Sequence, residues 1–483
     1  MSRSSIGLLF VCGYLLVTFA VTLWSARRNP GAYEFFLAGR RLGPATVGLS
    51  SASSVVSGAV LIGLSSTAYY WGLAAVWTGL ALLLGTLVNW FYVAPRLRAL
   101  SLVHDSWSLT QVLAADAGER TQRRVAWTAA FIVIVALSLF ASVQLKIAGS
   151  MMEHAFHWHI STALICALTI VFVYTVIGGL FAISVLGAIH ALAMLCIVFA
   201  LMVFAVDAVG GPSALMAALA EMRTNGDGWL GTRSGVVALA FVLGTFGPGL
   251  GGCGQPYITH RFMALQDATL MLRAGGFAIA WTLCMVLFAL VVGWCAKVLI
   301  GELGGFDVLT ELASRRMPTV LAVAVTFSLI ASIVSSLDIL LLLIVVAVSN
   351  DTRRPSASPS LEFARVFMPF VAVAIVLVAL YIPLSATEYG AFAFNALSAA
   401  FAPLLLVRLG GKRIRAGSML GAMWAGLFLT VIFHAMPDAP GDFLENVLPL
   451  VAALGIALTG GERRHNPDRA NRAATTVHDR MPI

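Results

Sequence analysis

GPATVGLSSASSVVSGAVLIGLSSTAYYWG, residues Gly43 to Gly72, is long and apolar enough to cross a bilayer, yet it is poorly made for a helix. Ser50, Ser51, Ser53, Ser54, Ser57 and Gly58 crowd its middle. Serine and glycine propagate a helix weakly, and their polar groups need partners in hydrocarbon. A helix broken here would free backbone carbonyls at mid-membrane, where secondary transporters hold ions and solutes. Close packing of small residues between membrane helices favours the same residue types. The stretch by itself leaves both readings open.

The surrounding composition sets the class. Of 483 residues, 60% are hydrophobic and only 11% charged, and the mean hydropathy is +0.93. A soluble domain of this size does not have that composition, so the chain reads as an all-α polytopic membrane protein bathed in lipid. The net charge of +8 sits in short loops and the tail, where it orients a membrane protein, and implies no nucleic-acid partner. Six cysteines lie in apolar segments without CxxC spacing, so neither a structural metal nor a disulfide framework is expected. The first apolar run, Ile6 to Trp24, lacks a small-residue cleavage site and reads as a retained helix.

Apolar runs fall near 6–25, 44–71, 74–94, 125–151, 161–178, 183–207, 234–257, 274–300, 318–349, 364–383, 389–408, 417–436 and 446–460, about 13 spans. Arginines concentrate on alternate loops, including Arg27, Arg28, Arg40, Arg41, Arg96, Arg98, Arg353, Arg354 and Arg413, and in the tail. The positive-inside rule then puts the N-terminus outside and the C-terminus in the cytoplasm. Residues 1–460 read as one transmembrane domain, and 461–483 as a polar, disordered tail.

GTFGPGLGGCGQP, Gly244 to Pro256, is a second run that cannot form a regular helix, because Pro248 and Pro256 break the hydrogen-bond ladder. It lies in the seventh span; the first irregular run lies in the second. Equivalent breaks five spans apart point to an inverted-repeat transporter with its site between them.

Several segments then carry a family resemblance: FFLAGRRLGP (35–44), SVVSGAVLIGL (54–64), NWFYVAPRLR (89–98), YTVIGGLFAIS (174–184), GQPYITHRFMA (254–264), IASIVSSLD (330–338) and AFAP (400–403). Together the chain resembles the sodium/solute symporter family, and most of all its bacterial sodium/proline branch. The resemblance implies a LeuT-type 5+5 inverted-repeat core over 44–408 with flanking helices, and alternating access. It implies a Na+ site made by the carbonyls of Ser53, Val56 and Ser332 and the hydroxyls of Ser335 and Ser336. Hydroxyls and free carbonyls suit a hard cation. Back-bonding of those hydroxyls to the preceding turn is the plainer alternative. Ser57, Gly58, Gln144, Gly252 and Pro256 should line the solute site. Arg40 is expected to gate it, although a basic loop alone explains an arginine there.

The chain departs from the proline branch. Val55 and Gly187 stand where that branch carries Asp, Pro248 and Gly252 where it carries aromatic residues, and His190 where it carries Gln. The seventh-span changes make a roomier pocket. Asp338 instead supplies a carboxylate where the family has Ser. A membrane-buried carboxylate is costly unless it works, and in two-sodium members the second ion lies between this helix and the fifth core helix. Asp338, His190 and Lys146 are therefore candidates for coupling or charge relay, with H+ as the alternative coupling ion. Lys146 can also snorkel to the surface, and His190 can be a satisfied core histidine.

The cluster Glu153, His154, His157 and His159 reads as an interfacial loop. No phosphate-binding GK[ST] loop and no catalytic triad pattern occur, so ATP-driven transport and enzymatic activity are not expected. The expected function is cation-coupled symport of a small organic solute, an amino acid or related carboxylate. No obligate protein partner is implied. A solute sensor acting through a separate partner is the reading from a different class.

Overall fold

The computed structural model describes residues 3–27, 31–115, 118–224, 226, 228–301, 307–352, 360–383, 387–437 and 439–463. The Arg353–Arg354 pair and the tail from residue 464 lie outside them. The described chain is helical except for one small ribbon. Eleven of its helices are long and apolar enough to cross a membrane. Two of these, Gly58–Val103 and Ile160–Val209, each join two of the spans expected from sequence. Gly72 (φ 59°) and Gly179 (φ 54°) interrupt them with backbone that an L-side chain rarely adopts. Dividing at these two glycines recovers the 13 expected spans.

At the centre stands the helix Thr319–Val346, whose most apolar window is buried throughout. Its sequence is apolar all round, as a helix surrounded by other helices must be. It packs on Ile160–Val209, Glu119–Phe156, Leu361–Tyr381 and the half-helix Gly58–Trp71. Gly58 makes the last contact close: a Cβ there would lie 2.6 Å from the Leu329 carbonyl oxygen. Flanking helices Leu9–Ala26 and Phe443–Thr459 are far more exposed.

The tail does not begin where composition alone suggested. Gly461–Arg463 pairs antiparallel with Lys412–Ile414, and Arg415 binds Glu462 at 2.6 Å. This ribbon closes the helical hairpin Ala416–His434 and Phe443–Thr459 at the arginine-rich face.

Candidate functional site

The helix that starts at Pro44 stops at Val55. Val56 leaves the helical region (φ −107°, ψ 67°), Ser57 is extended (φ −67°, ψ 169°), and a second helix begins at Gly58. The Val56 N–H donates to the Ala52 carbonyl (2.9 Å) and the Gly58 N–H to Ser332 Oγ (3.1 Å). Neither reaches the carbonyls of Ser53 or Val56, which are left as helix-terminal acceptors. The crowded serines thus mark a true break.

Ser332, Ser335 and Ser336 are buried on one face of the central helix opposite this break. Their roles differ from the expected set in detail. Ser332, expected to offer its carbonyl, uses its hydroxyl to cap the second half-helix. Ser336 donates to Gln144 Oε1 and to the Ile333 carbonyl (2.7 Å). A hydroxyl that donates keeps its lone pairs for a cation, so this oxygen-only, uncharged set fits Na+. Ser53 Oγ donates to the carbonyls of Ser50 (3.2 Å) and Gly187 (3.3 Å).

Beside the break lies a cavity of about 480 Å³. Ser57, Gln144 and Gly252 line it, as do Val55 and Pro248. Gly58 and Pro256 do not. Gly58 faces the central helix instead, and Pro256 is the buried first residue of the helix Pro256–Met263. Phe140 and Tyr257 stack at 5.8 Å on the cavity wall. They supply aromatic surface from other helices where Pro248 and Gly252 supply none. Trp71 and Asp442 mark an exposed mouth.

Asp338 is fully buried and outside this lining. Tyr174 donates to its Oδ2 at 3.0 Å, while Oδ1 has no hydrogen-bond partner. Tyr14 and Arg261 lie near enough for charge interaction with it. His190 does not bond to Asp338; its ring stacks on Tyr14 at 5.4 Å. Lys146 is half-buried, outside the cavity lining and outside this cluster. A side chain at Gly187 would be tight, its Cβ lying 3.1 Å from Ser50 Cβ.

Residues 35–428 match the sodium:solute symporter family. The chain belongs to the sodium:solute symporter family. The symporter is 24% identical over 460 residues to the osmoregulated proline transporter OpuE of Bacillus subtilis, covering 92% of each chain. It is 25% identical over 440 residues to the high-affinity proline transporter PutP of the same organism, covering 88% of this chain and 91% of that one. In structure it is similar to a Na+-coupled sialic acid symporter in a substrate-bound outward-open state, with a TM-score of 0.79 at 15% identity, over 95% of this chain and 99% of that one. It is also similar to Mhp1, a nucleobase-cation-symport-1 family transporter, with a TM-score of 0.56 at 14% identity over 88% and 92% of the two chains. The symporter therefore has the LeuT-type fold, and it is a transporter and not an enzyme.

On the arginine-rich side the symporter is sealed. Arg40, 8% exposed, donates to Ser101 Oγ (2.9 Å) and to the carbonyls of Met263 (2.9 Å), Ser101 (3.3 Å) and Ser106 (3.2 Å). Its own backbone is left-handed (φ 52°), a conformation that a non-glycine residue keeps only when its surroundings hold it. Leu42 pairs with the segment after the second broken helix, Leu42 N–H to the Ala264 carbonyl (3.2 Å) and Gln266 N–H to the Leu42 carbonyl (3.0 Å). Arg98 adds bonds to the carbonyls of Leu265 (3.1 Å) and Gln266 (3.2 Å). The two segments flanking the breaks are thus tied together beneath the cavity.

Several site residues escaped the sequence reading, and four show why. Tyr257 stands inside the quoted GQPYITHRFMA, and Phe140 one turn before Gln144, so both were within reach of the motifs. Tyr14 and Glu445 lie on flanking helices, and only tertiary contact brings them in. Glu445 joins His434 (3.0 Å) and Asn395 (3.0 Å) at the cavity wall.

Proposed function

We propose that this chain is a Na+-coupled symporter of a small amino acid or related carboxylate, working by alternating access. The observation that carries this is the break at Val56–Ser57, whose free carbonyls face a serine-bearing helix and adjoin a solute-sized cavity. The carbonyls of Ser53, Val56 and Ser332 and the hydroxyls of Ser335 and Ser336 hold the cation. Ser57, Gln144 and Gly252 contact the solute, while Gly58 and Pro256 shape the two breaks. The positive end of the half-helix Gly58–Trp71 suits a solute carboxylate. The relatives named for proline support an amino-acid cargo. Pro248 and Gly252 leave a wider space than a proline ring fills, and Phe140 and Tyr257 make a wall of different placement. Arg40 is the gate on the arginine-rich side. Residues 1–460 act as one transporter unit built on the repeats of 44–408, in a bacterial inner membrane with the N-terminus outside.

Uptake into proteoliposomes under imposed gradients tests this reading. Accumulation of an amino acid driven by inward Na+ is expected. Failure of every amino acid and small carboxylate under both Na+ and proton gradients would refute it.

A second reading has its own observation. Asp338 has one unpartnered oxygen in a fully buried setting, and a proton satisfies it as well as a cation does. Uptake in choline buffer driven by pH alone, and abolished in Asp338→Asn, would select proton coupling.

A further inference from the structure

The floor of the cavity contains two polar atoms that the protein leaves unsatisfied. Ser57 is fully buried and its Oγ has no hydrogen-bond partner. Asn89, 4% exposed, has an unpartnered Oδ1. Both residues line the cavity. Buried polar atoms without partners cost stability and are rare. Two on one cavity wall point to something that completes them.

The two atoms differ in what they ask for. Ser57 N-caps the half-helix Gly58–Trp71, so its hydroxyl sits beside the positive end of a helix and donates toward an anion. Asn89 lies where the helix Val76–Val88 widens into a π-turn over Asn89–Val93. A π-turn inside a regular helix re-aims a side chain and recurs at functional sites. Gly252 lies opposite, and a Cβ there would sit 3.6 Å from Asn89 Nδ2. The missing side chain at 252 therefore leaves the Asn89 amide facing open space. Its Oδ1 is an acceptor with no donor. Among the described lining residues the charged side chains are Asp442 and Glu445, both acidic, and no Lys, Arg or His takes part. The charges on the wall therefore oppose a second anion and suit a group that carries N–H donors.

We infer that Asn89 is a specificity-determining residue that accepts an N–H of the solute, so that the cargo bears an amine as well as a carboxylate. Ser57 and the half-helix take the carboxylate; Asn89 takes the ammonium or imino N–H. Acids of the same shape without a hydrogen-bond donor at that position leave Oδ1 unsatisfied and bind less well. This rests on the reading of the chain as a carrier of small acids, and it divides that class in two.

The test uses the purified full chain in saturating NaCl and titration calorimetry. The probes are the twenty amino acids, each beside an analogue with a hydrocarbon or ether group in place of the nitrogen, and so no donor there: isobutyrate for alanine, tetrahydrofuran-2-carboxylate for proline, and so on. The wild type should bind at least one amino acid roughly tenfold tighter than its donor-free analogue, the worth of one hydrogen bond. Asn89→Ala should bring the pair to within about twofold by weakening the amino acid, whereas Asn89→Asp should keep the preference. An unchanged size-exclusion profile and unfolding temperature without solute show that each variant is folded. A preference that survives Asn89→Ala overturns the assignment of Asn89. Equal binding of the amino acids and their donor-free analogues by the wild type overturns the cargo class and leaves the carrier reading standing. Binding of neither series overturns both.

Discussion

Truncating Arg40 to Ala should unlock the arginine-rich face. The guanidinium makes four hydrogen bonds, three of them to backbone carbonyls of segments 101–106 and 263. A hydrogen bond to a charged group contributes about 1.5–3 kcal/mol. Four on one guanidinium are not independent, and once the face opens the arginine is rehydrated, so the sealed state should lose about 3–5 kcal/mol relative to the opened one. At about 1.4 kcal/mol per decade, that is roughly a hundred- to several-thousand-fold shift in the ratio of the two states. Val55 lines the cavity, and Val55→Cys in a background with the six native cysteines replaced reports on it. A membrane-impermeant maleimide should reach that position from the mouth side in the parent. Added Arg40→Ala should open a fast route from the arginine-rich side. Arg40→Lys should fall between, because an ammonium cannot reproduce the planar fork. Labelling rates from that side unchanged to within about twofold would show that Leu42 and Arg98 hold the seal without Arg40.

Na+ should raise the unfolding temperature against choline, since a ligand at about 100 times its Kd stabilises by about 2.7 kcal/mol; the increment should vanish in Ser335→Ala combined with Ser336→Ala, and a full increment there would disprove the cation set. Asp338→Asn should keep the Tyr174 hydrogen bond yet abolish ion-dependent solute uptake, which uptake in proteoliposomes checks against unchanged folding. Gly58→Ala forces a Cβ to 2.6 Å from the Leu329 carbonyl oxygen; overpacking of this kind costs about 1–3 kcal/mol, so thermal unfolding should shift down by several degrees. Asp307 lies outside the spanning segments, where burial pushes its carboxyl up although it caps the helix Val308–Arg316. A raised carboxyl gives stability that is full at low pH and lost as pH rises through the folded value. Asp307→Asn keeps a cap and carries no charge, so it should stabilise the protein at pH 7, with the gain shrinking as pH falls towards 4.

Much of this architecture could be read from residue types. Ser and Gly density marked the break at Val56–Ser57, and Gly and Pro density the break at Gly252–Gln255. These are local properties, because helix propensity and the lack of a proline N–H act where the residue stands. What could not be read depends on which face meets which neighbour. Gly58 was expected at the solute and lies against Leu329 instead, because one residue's rotation on a helix turns it by about 100°. That the Ser332 hydroxyl caps the second half-helix could not be read, because the partner N–H is 274 residues away in sequence. Glu445 and Tyr14 belong to flanking helices outside the repeats, so no symmetry argument reaches them. The Gly461–Arg463 strand hides in a polar composition that elsewhere means disorder.

The central helix has a consequence for the protein in different membranes. It touches no lipid along its buried window, whereas only 17% of the corresponding window is buried in Leu9–Ala26 and in Pro440–Thr459. Bilayer thickness and headgroup composition act on surfaces that meet lipid. A cation bound at the proposed site on the shielded helix should therefore keep its affinity on transfer between detergents and lipids. A transport cycle that moves the lipid-facing helices should instead follow the thickness of the membrane around it.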